Sequence, residues 1–288
     1  MEKHALFSNF EKKKSMGISK DIHVTILGCG WLGKIVGKYL IEQGYTVSGS
    51  YRRPESKNEL EDLGINPFPY EFTVNTNIPS EIKNRTDLLI IMFPPSSVKN
   101  QEESYGTFLT AASTQFPAKT KVIFTCSSGV YPKEEGIYNE SFDFGVSISE
   151  NNLKEAEEML RKKHSSNLTI LRLAGLIGPK RHPIHSLKGR EISHSGKASV
   201  NLIHSADICR AIELIVSKNA FGSVFNLVFG KHPEKREYYV RAANALGLDP
   251  PKFGDESSPN RMITGSLIEN ELGFRYAHSI DNFDEFAI

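Results

Sequence analysis

Three glycines, Gly28, Gly30 and Gly33, stand at GxGxxG spacing within "HVTILGCGWLGKIVGKYLIEQGYTVSGSYRR", a pattern suited to holding a diphosphate. In such a loop the first glycine permits a tight turn and the second lets the backbone approach the pyrophosphate. The third lets helix and strand pack closely. The helix that follows aims unpaired amides and a partial positive charge at the same anion. Trp31 and Leu32, inside the loop, are expected to touch the ligand as well. Where an acidic residue commonly holds a ribose 2′-hydroxyl, about 20 residues on, the chain has Ser50 and then Arg52 and Arg53. Guanidinium groups are permanently charged and bind phosphate bidentately, so these residues favour NADP, with NAD as the alternative. A second cluster lies in "GPKRHPIH", residues 178–185. Imidazole titrates near neutrality, which makes His182 a candidate acid or base. Arg181 and His185 are candidates for holding an anionic substrate, and a solvated basic loop is the competing reading.

These groups need a scaffold to position them. "HVTIL" is a β-rich run that breaks into the glycines, and Leu32, Ile35, Val36, Tyr39 and Leu40 then recur at helical spacing up to Gly44. "YTVSGSY" follows as a second strand, which completes a right-handed βαβ unit. Strand-like "DLLIIMF" (87–93), helical "QEESYGTFLTAAST", strand "KVIFTC" (121–126), helical "SENNLKEAEEMLRKKH" and strand "LTILRLAGLIG" (168–178) continue the alternation. That order predicts an α/β fold, a doubly wound parallel sheet of Rossmann type covered on both faces. Beyond Pro179 the periodicity weakens and predicts a smaller C-terminal substrate lobe. The expected organisation is an arm over 1–20, a dinucleotide-binding domain over 21–180, and a lobe over 181–288 from which 201–228 return to the first domain. The polar, lysine-rich arm is expected to be mobile, and Met16, just before the first strand, is a candidate start.

Composition limits the function. Lys and Arg number 35 against 34 Asp and Glu, a formal net charge of +1, which argues against a nucleic-acid footprint. The longest apolar run, "LLIIMF", is too short to cross a bilayer. Cys29, Cys126 and Cys209 are odd in number and far apart, which fits a reducing cytoplasm and argues against a disulfide framework or a zinc site. No metal ligands are expected.

Several segments together resemble the extended short-chain dehydrogenase/reductase superfamily, and more narrowly an atypical, epimerase-like bacterial subgroup. "TILGCGWLG" resembles its glycine loop and "VIFTCSSGVYP" its fifth strand with the Ser/Thr segment. "LTILRLAGLIGP" resembles the strand and loop that pass the nicotinamide, and "VNLIHSADICRAI" the segment beside the substrate lobe. "GSVFNLVFG" and "IENELGF" match its late strand and C-terminal helix, so the likeness runs over about residues 22–276. The resemblance implies a nicotinamide cofactor along Phe93, Pro94, Thr125, Leu173, Ala174 and Gly175. It implies that Ser127 orients a substrate oxygen, with Ser128 and His204 near the substrate. It also leaves a homodimer open, since members often pair through helices.

The superfamily's proton-transfer pair, a Tyr and a Lys four residues later, is missing. The matching positions are Ser149 and Leu153, or Glu150 and Lys154 after a shift of one. A free phenol, pKa about 10, needs a nearby ammonium to act as a base at neutral pH. Tyr131, Tyr138 and His182 are the substitutes to weigh; Tyr138 reads as a surface residue, and Lys154 as pointing to solvent with Leu153 facing the ribose. Asn201, His204 and Asp207, in "VNLIHSAD", are candidates to project into the cleft between sheet and lobe, and Asp207 reads equally as the cap of the helix that follows. Two functions follow. One is an NAD(P)-dependent oxidoreductase or epimerase-like enzyme acting on a carbonyl or hydroxyl compound, for example a sugar nucleotide, with another proton donor. The other is a non-catalytic NADP-binding redox sensor.

Overall fold

The run Leu88–Ile91 is buried at every position, as a strand covered on both faces must be. It is the fourth strand of a computed structural model that describes residues 21–97, 103–145 and 152–287. The expectations for the 1–20 arm, Met16, Ser149 and Glu150 lie outside the described residues. The first half of the chain runs β1 (His23–Leu27), α1 (Trp31–Glu42), β2 (Thr46–Tyr51), α2 (Glu55–Asp62), β3 (Asn66–Pro69), α3 (Ser80–Lys83), β4 (Leu88–Ile91), α4 (Tyr105–Ser113) and β5 (Lys121–Ser127). The second half begins with β6 (Gly136–Tyr138), α5 (Asn152–His164), β7 (Leu168–Leu173), β8 (Gly175–Ile177), α6 (Ile184–Leu187), β9 (Glu191–His194) and β10 (Leu202–His204). It ends with α7 (Ser205–Ser217), β11 (Val224–Leu227), α8 (Lys235–Ala245), β12 (Lys252–Glu256), β13 (Arg261–Ile263) and α9 (Leu267–Leu272).

Seven strands form one parallel sheet in the order β3-β2-β1-β4-β5-β7-β11. The chain winds outward from β1 through β2 and β3, then returns to β4 on the other side of β1. At that reversal the connections leave in opposite directions and open a crevice at the strand C-termini, where ligands of such sheets bind. One face of the sheet is covered by α1 and α7, through residues such as Val36, Leu40, Ile208 and Ile212. The other is covered by α4 and α5, through Phe108, Leu109, Ala156 and Leu160. The strand β11 extends the sheet beyond β7, so residues 224–227 return to it from the lobe.

Three two-stranded parallel pairs, β10-β8, β12-β9 and β13-β6, build the lobe and its junction with the sheet. A separate apolar cluster, including Ile184, Tyr238, Ala242, Ile280 and Phe286, is its core. The strand β8 follows the end of β7 through Ala174 alone, which sets the lobe against the C-terminal edge of the sheet, beside the crevice.

Candidate functional site

The glycine loop is shaped by close approach. Gly28 has φ +93°, and a Cβ there would stand 2.8 Å from the Phe93 amide nitrogen at the end of β4. A Cβ on Gly33 would stand 2.8 Å from the Gly28 carbonyl, so the first turn of α1 can lie on the loop only without one. A Cβ on Gly30 would meet nothing within 4 Å, which leaves open space in front of the helix N-terminus. No side chain caps that N-terminus. A diphosphate fits these features: bare backbone, free amides and an open approach.

Two adjoining cavities share Gly28, Gly30, Met92, Phe93 and Pro94. The smaller, about 210 Å³, reaches the end of β2, where Ser50, Arg52 and Arg53 line it. Ser50 is buried, and its Oγ accepts a hydrogen bond of 2.9 Å from the Gly28 amide, so the residue at the acidic position braces the loop. Arg52 and Arg53 are exposed, and Arg53 lies 3.6 Å from Glu55. Two guanidinium groups beside a cavity suit a ribose phosphate.

The larger cavity, about 320 Å³, runs from the glycine loop to Thr125, Ser127, Leu173 and Ala174. Trp31, Leu32 and Gly33 wall it on the side of α1, and Leu153 on the side of α5. Leu153 thus faces the cavity, as expected. Ser127 is exposed at the end of β5, and its Oγ accepts from the Gly129 amide at 3.0 Å, which leaves the hydroxyl proton to donate. The Thr125 hydroxyl donates to the Ile91 carbonyl at 3.1 Å. Arg181 closes the rim with its guanidinium 4.8 Å from the Trp31 ring centre, and the indole N–H donates to the Pro179 carbonyl at 3.3 Å. The glycine loop and the loop after β8 are therefore tied together across the cavity mouth.

Several expected site residues lie elsewhere. His182 is in the lobe core, stacked on Phe286 at 4.8 Å. Its Nδ1 accepts from the Ile184 amide at 3.2 Å, so Nε2 carries the proton given to Tyr238 Oη at 2.9 Å, and that hydroxyl donates to the Ile280 carbonyl. Burial holds His182 neutral, with its pKa lowered to about 4. His185 ties the C-terminal segment through the Phe286 carbonyl at 2.7 Å. His204, not Asp207, caps α7, accepting from the Ala206 amide at 3.2 Å. Asp207 instead receives the Ala277 and His278 amides. Ser128 is buried in the turn after β5, where its carbonyl accepts from the Tyr131 amide. Gly175 is outside the cavity: a Cβ there would stand 2.8 Å from Leu202 Cδ2, so its bareness serves the β8–β10 pairing.

Tyr131 is 1% exposed, and its hydroxyl lies 2.8 Å from the Asn139 carbonyl and 2.9 Å from Asn226 Oδ1. It also accepts from Arg172 Nη1 at 2.9 Å. Arg172 on β7 grips Glu157 on α5 through Nε at 2.9 Å and Nη2 at 2.6 Å, inside the core. Tyr138 is buried against Tyr131 rather than on the surface. Lys154 lies over the Phe144 ring at 4.6 Å and pairs with Glu158 at 3.3 Å, with only 15% of its side chain exposed, so it does not project into solvent.

The structure adds lining residues to those singled out in the sequence. Met92 and Cys126 extend strand ends already singled out and were legible by continuing those runs. Tyr105 and Phe72 come from α4 and from the segment after β3, brought over by tertiary packing alone. The Tyr105 hydroxyl donates to the Phe93 carbonyl at 2.7 Å and burial raises its pKa well above the phenol range. Burial, with the Glu157 carboxylate next, likewise raises the Cys126 thiol.

Comparison with known proteins places this architecture. The model of the NAD dependent epimerase/dehydratase family matches residues 24–227. Protein YeeZ of Escherichia coli K12 is 31% identical over 266 residues, spanning 88% of this chain and 96% of its own. MoeE5, solved with UDP-glucuronic acid and NAD, has a TM-score of 0.72 at 20% identity, over 92% of this chain and 97% of that one. UDP-glucuronic acid 4-epimerase from Bacillus cereus, in complex with NAD, has a TM-score of 0.71 at 16% identity, over 92% and 97% of the two chains. At those identities the structures establish a shared fold, while the family match covers most of the chain and runs from β1 to β11. The chain belongs to the NAD dependent epimerase/dehydratase family.

Proposed function

We propose that this protein binds NADP(H) in preference to NAD(H) along the crevice between β1 and β4, and catalyses hydride transfer to or from a small carbonyl or hydroxyl compound. The observation that carries this reading is the pair of adjoining cavities, with Arg52 and Arg53 at one end and Ser127 at the other. Gly28, Gly30 and the α1 N-terminus would hold the diphosphate, and Arg52 and Arg53 a 2′-phosphate. A bound nicotinamide would supply the hydride donor or acceptor. Ser127 would donate a hydrogen bond to the substrate oxygen, with Arg181 at the rim for negative charge. A sugar nucleotide, the class bound in MoeE5 and in the UDP-glucuronic acid complex of the Bacillus cereus epimerase, is one candidate substrate.

The test is a titration with NADPH and NADH, following fluorescence of Trp31, the only tryptophan, inside the glycine loop. Charge-assisted hydrogen bonds contribute about 1.5–3 kcal/mol, so Arg52→Gln/Arg53→Gln should weaken NADPH about 10–100-fold. NADH affinity should stay nearly constant. Equal loss for both nucleotides, or tighter NADH in the parent protein, refutes the preference.

The second reading, a non-catalytic redox sensor, draws on one observation: the hydroxyls of Tyr105 and Tyr131 are already spent on protein acceptors. Transfer of isotopic hydrogen from labelled NADPH to a carbonyl compound, lost in Ser127→Ala, supports the enzyme. Tight binding with no transfer across a broad panel supports the sensor.

A further inference from the structure

The larger cavity combines two properties. Its lining includes an apolar set, Leu153, Leu176, Trp31 and Pro95. Its proton-bearing groups among the described residues are committed to the protein: Tyr105 to the Phe93 carbonyl, Thr125 to the Ile91 carbonyl, and Cys126 backed by Glu157. Tyr131, the nearest phenol in sequence to Ser127, is sealed behind the turn by Arg172, Asn226 and Asn139. Of the other two candidate acids, Tyr138 is buried against Tyr131 and His182 is in the lobe core. Among the described residues, the polar side chains left to face the cavity uncommitted are the Ser127 hydroxyl and the exposed Arg181 guanidinium. An alcohol and a guanidinium steady a developing oxyanion but do not surrender a proton at neutral pH.

That set of groups discriminates between hydride acceptors. Reducing an isolated ketone makes an alkoxide nearly as basic as hydroxide, far more basic than any group at neutral pH. Such a product needs a general acid, which typically contributes about 10²–10⁴-fold. Reducing a quinone makes an aryl oxide comparable to a phenolate, whose conjugate acid has a pKa of about 10. It can leave as the anion or take its proton from water.

We propose that the hydride acceptor is a conjugated, electron-poor carbonyl compound of the quinone class, held by Ser127 and Arg181 against the apolar wall of Leu153 and Leu176. The proposal rests on the hydride-transfer reading above. The overall exchange balances as reduced dinucleotide plus quinone plus one proton from water, giving oxidised dinucleotide plus hydroquinone. The reduced dinucleotide is the two-electron reductant, and no protein group changes its protonation state. The absent Tyr and Lys are then unnecessary, and Leu153 at the Lys position becomes part of the acceptor wall.

The experiment has a binding arm and a turnover arm. Menadione is titrated into dinucleotide-free protein while Trp31 emission is followed, and saturable quenching is expected, weakened at least about tenfold by Leu153→Lys, which places a charge in the apolar wall. In the NADPH-loaded protein, menadione should be reduced with kcat/KM at least about 100-fold above cyclohexanone, the lower range of what an absent acid withholds. The rate should be flat from mildly acidic to mildly alkaline pH. Preference for cyclohexanone, oxidation of UDP-glucuronic acid in place of menadione reduction, or a rate that follows one titrating group overturns the proposal. NADPH binding with neither quenching nor reduction by menadione overturns it too and leaves the dinucleotide reading standing, whereas absence of NADPH binding removes both.

Discussion

Breaking the Glu157–Arg172 pair should cost far more than deleting it. Glu157 is 0% exposed and Arg172 3%, and the two are joined by bonds of 2.6 and 2.9 Å. Removing one partner of a buried pair leaves an uncompensated charge and costs about 3–5 kcal/mol. Glu157→Met keeps the side-chain volume and leaves the Arg172 guanidinium, among the described residues, with Tyr131 Oη as its hydrogen-bond partner and the Tyr131 and Phe144 rings beside it. At about 2–4 °C per kcal/mol, Tm should fall by roughly 6–20 °C. The double variant Glu157→Met/Arg172→Met removes both charges. Its remaining deficit is the hydrogen bond lost at Tyr131 Oη, about 0.5–1.5 kcal/mol, so it should recover most of the stability. Urea unfolding followed by circular dichroism, with the single and double variants side by side, measures both effects. A double variant no more stable than Glu157→Met, or a single variant losing under about 1 kcal/mol, would refute the argument that the pair is a desolvated unit. The same network ends at Tyr131, in the turn that carries Ser127, so its integrity also bears on the site.

Two further outcomes follow from buried titratable groups. His182 is neutral with a pKa near 4, while the unfolded chain takes up a proton at about 6.5, so its contribution is complete above that value and is lost as pH falls towards 4. The loss is on the order of 3 kcal/mol, and His182→Asn should flatten the pH dependence of urea unfolding over that window; an unchanged slope would show that another group carries it. The three cysteines are all buried, and burial raises Cys29 and Cys209 to about 12. Their thiolate fraction at pH 8 is then about one in ten thousand, so a disulfide reagent should count no fast thiol in the folded protein and three after unfolding. A stoichiometric fast reaction before unfolding would contradict that burial.

Legibility divided along range. The βαβ unit was readable because Gly28, Gly30 and Gly33, the helical spacing of Leu32, Val36 and Leu40, and the run Leu88–Ile91 are local consequences of turn sterics and burial. The edge strand β3, Asn66–Pro69, was not foreseen: it holds two prolines and no apolar alternation, and it is a strand because β2 offers it a register from Ser48 to Tyr51. Of the helix expected over 101–114, residues 101 and 102 lie outside the described residues, and the helix is observed over Tyr105–Ser113 with the Ser104 side chain as its cap.

Side-chain chemistry was harder to place than backbone. His182, His185 and His204 are polar residues in a basic or cap-like stretch, and local sequence gives no sign that Phe286, Tyr238 and the C-terminal segment will enclose them. Tyr131 is four residues from Ser127 yet faces away from it, because Arg172 and Asn226, 41 and 95 residues distant, hold its hydroxyl in the core. The sequence by itself determined the sheet class, the glycine loop, the arginines after β2 and the absence of any Tyr-x-x-x-Lys spacing, since each depends on residue type at short spacing. Only the tertiary structure decided which polar groups face the cavity and which are spent inside. That choice turns on burial and on hydrogen-bond partners drawn from the far end of the chain.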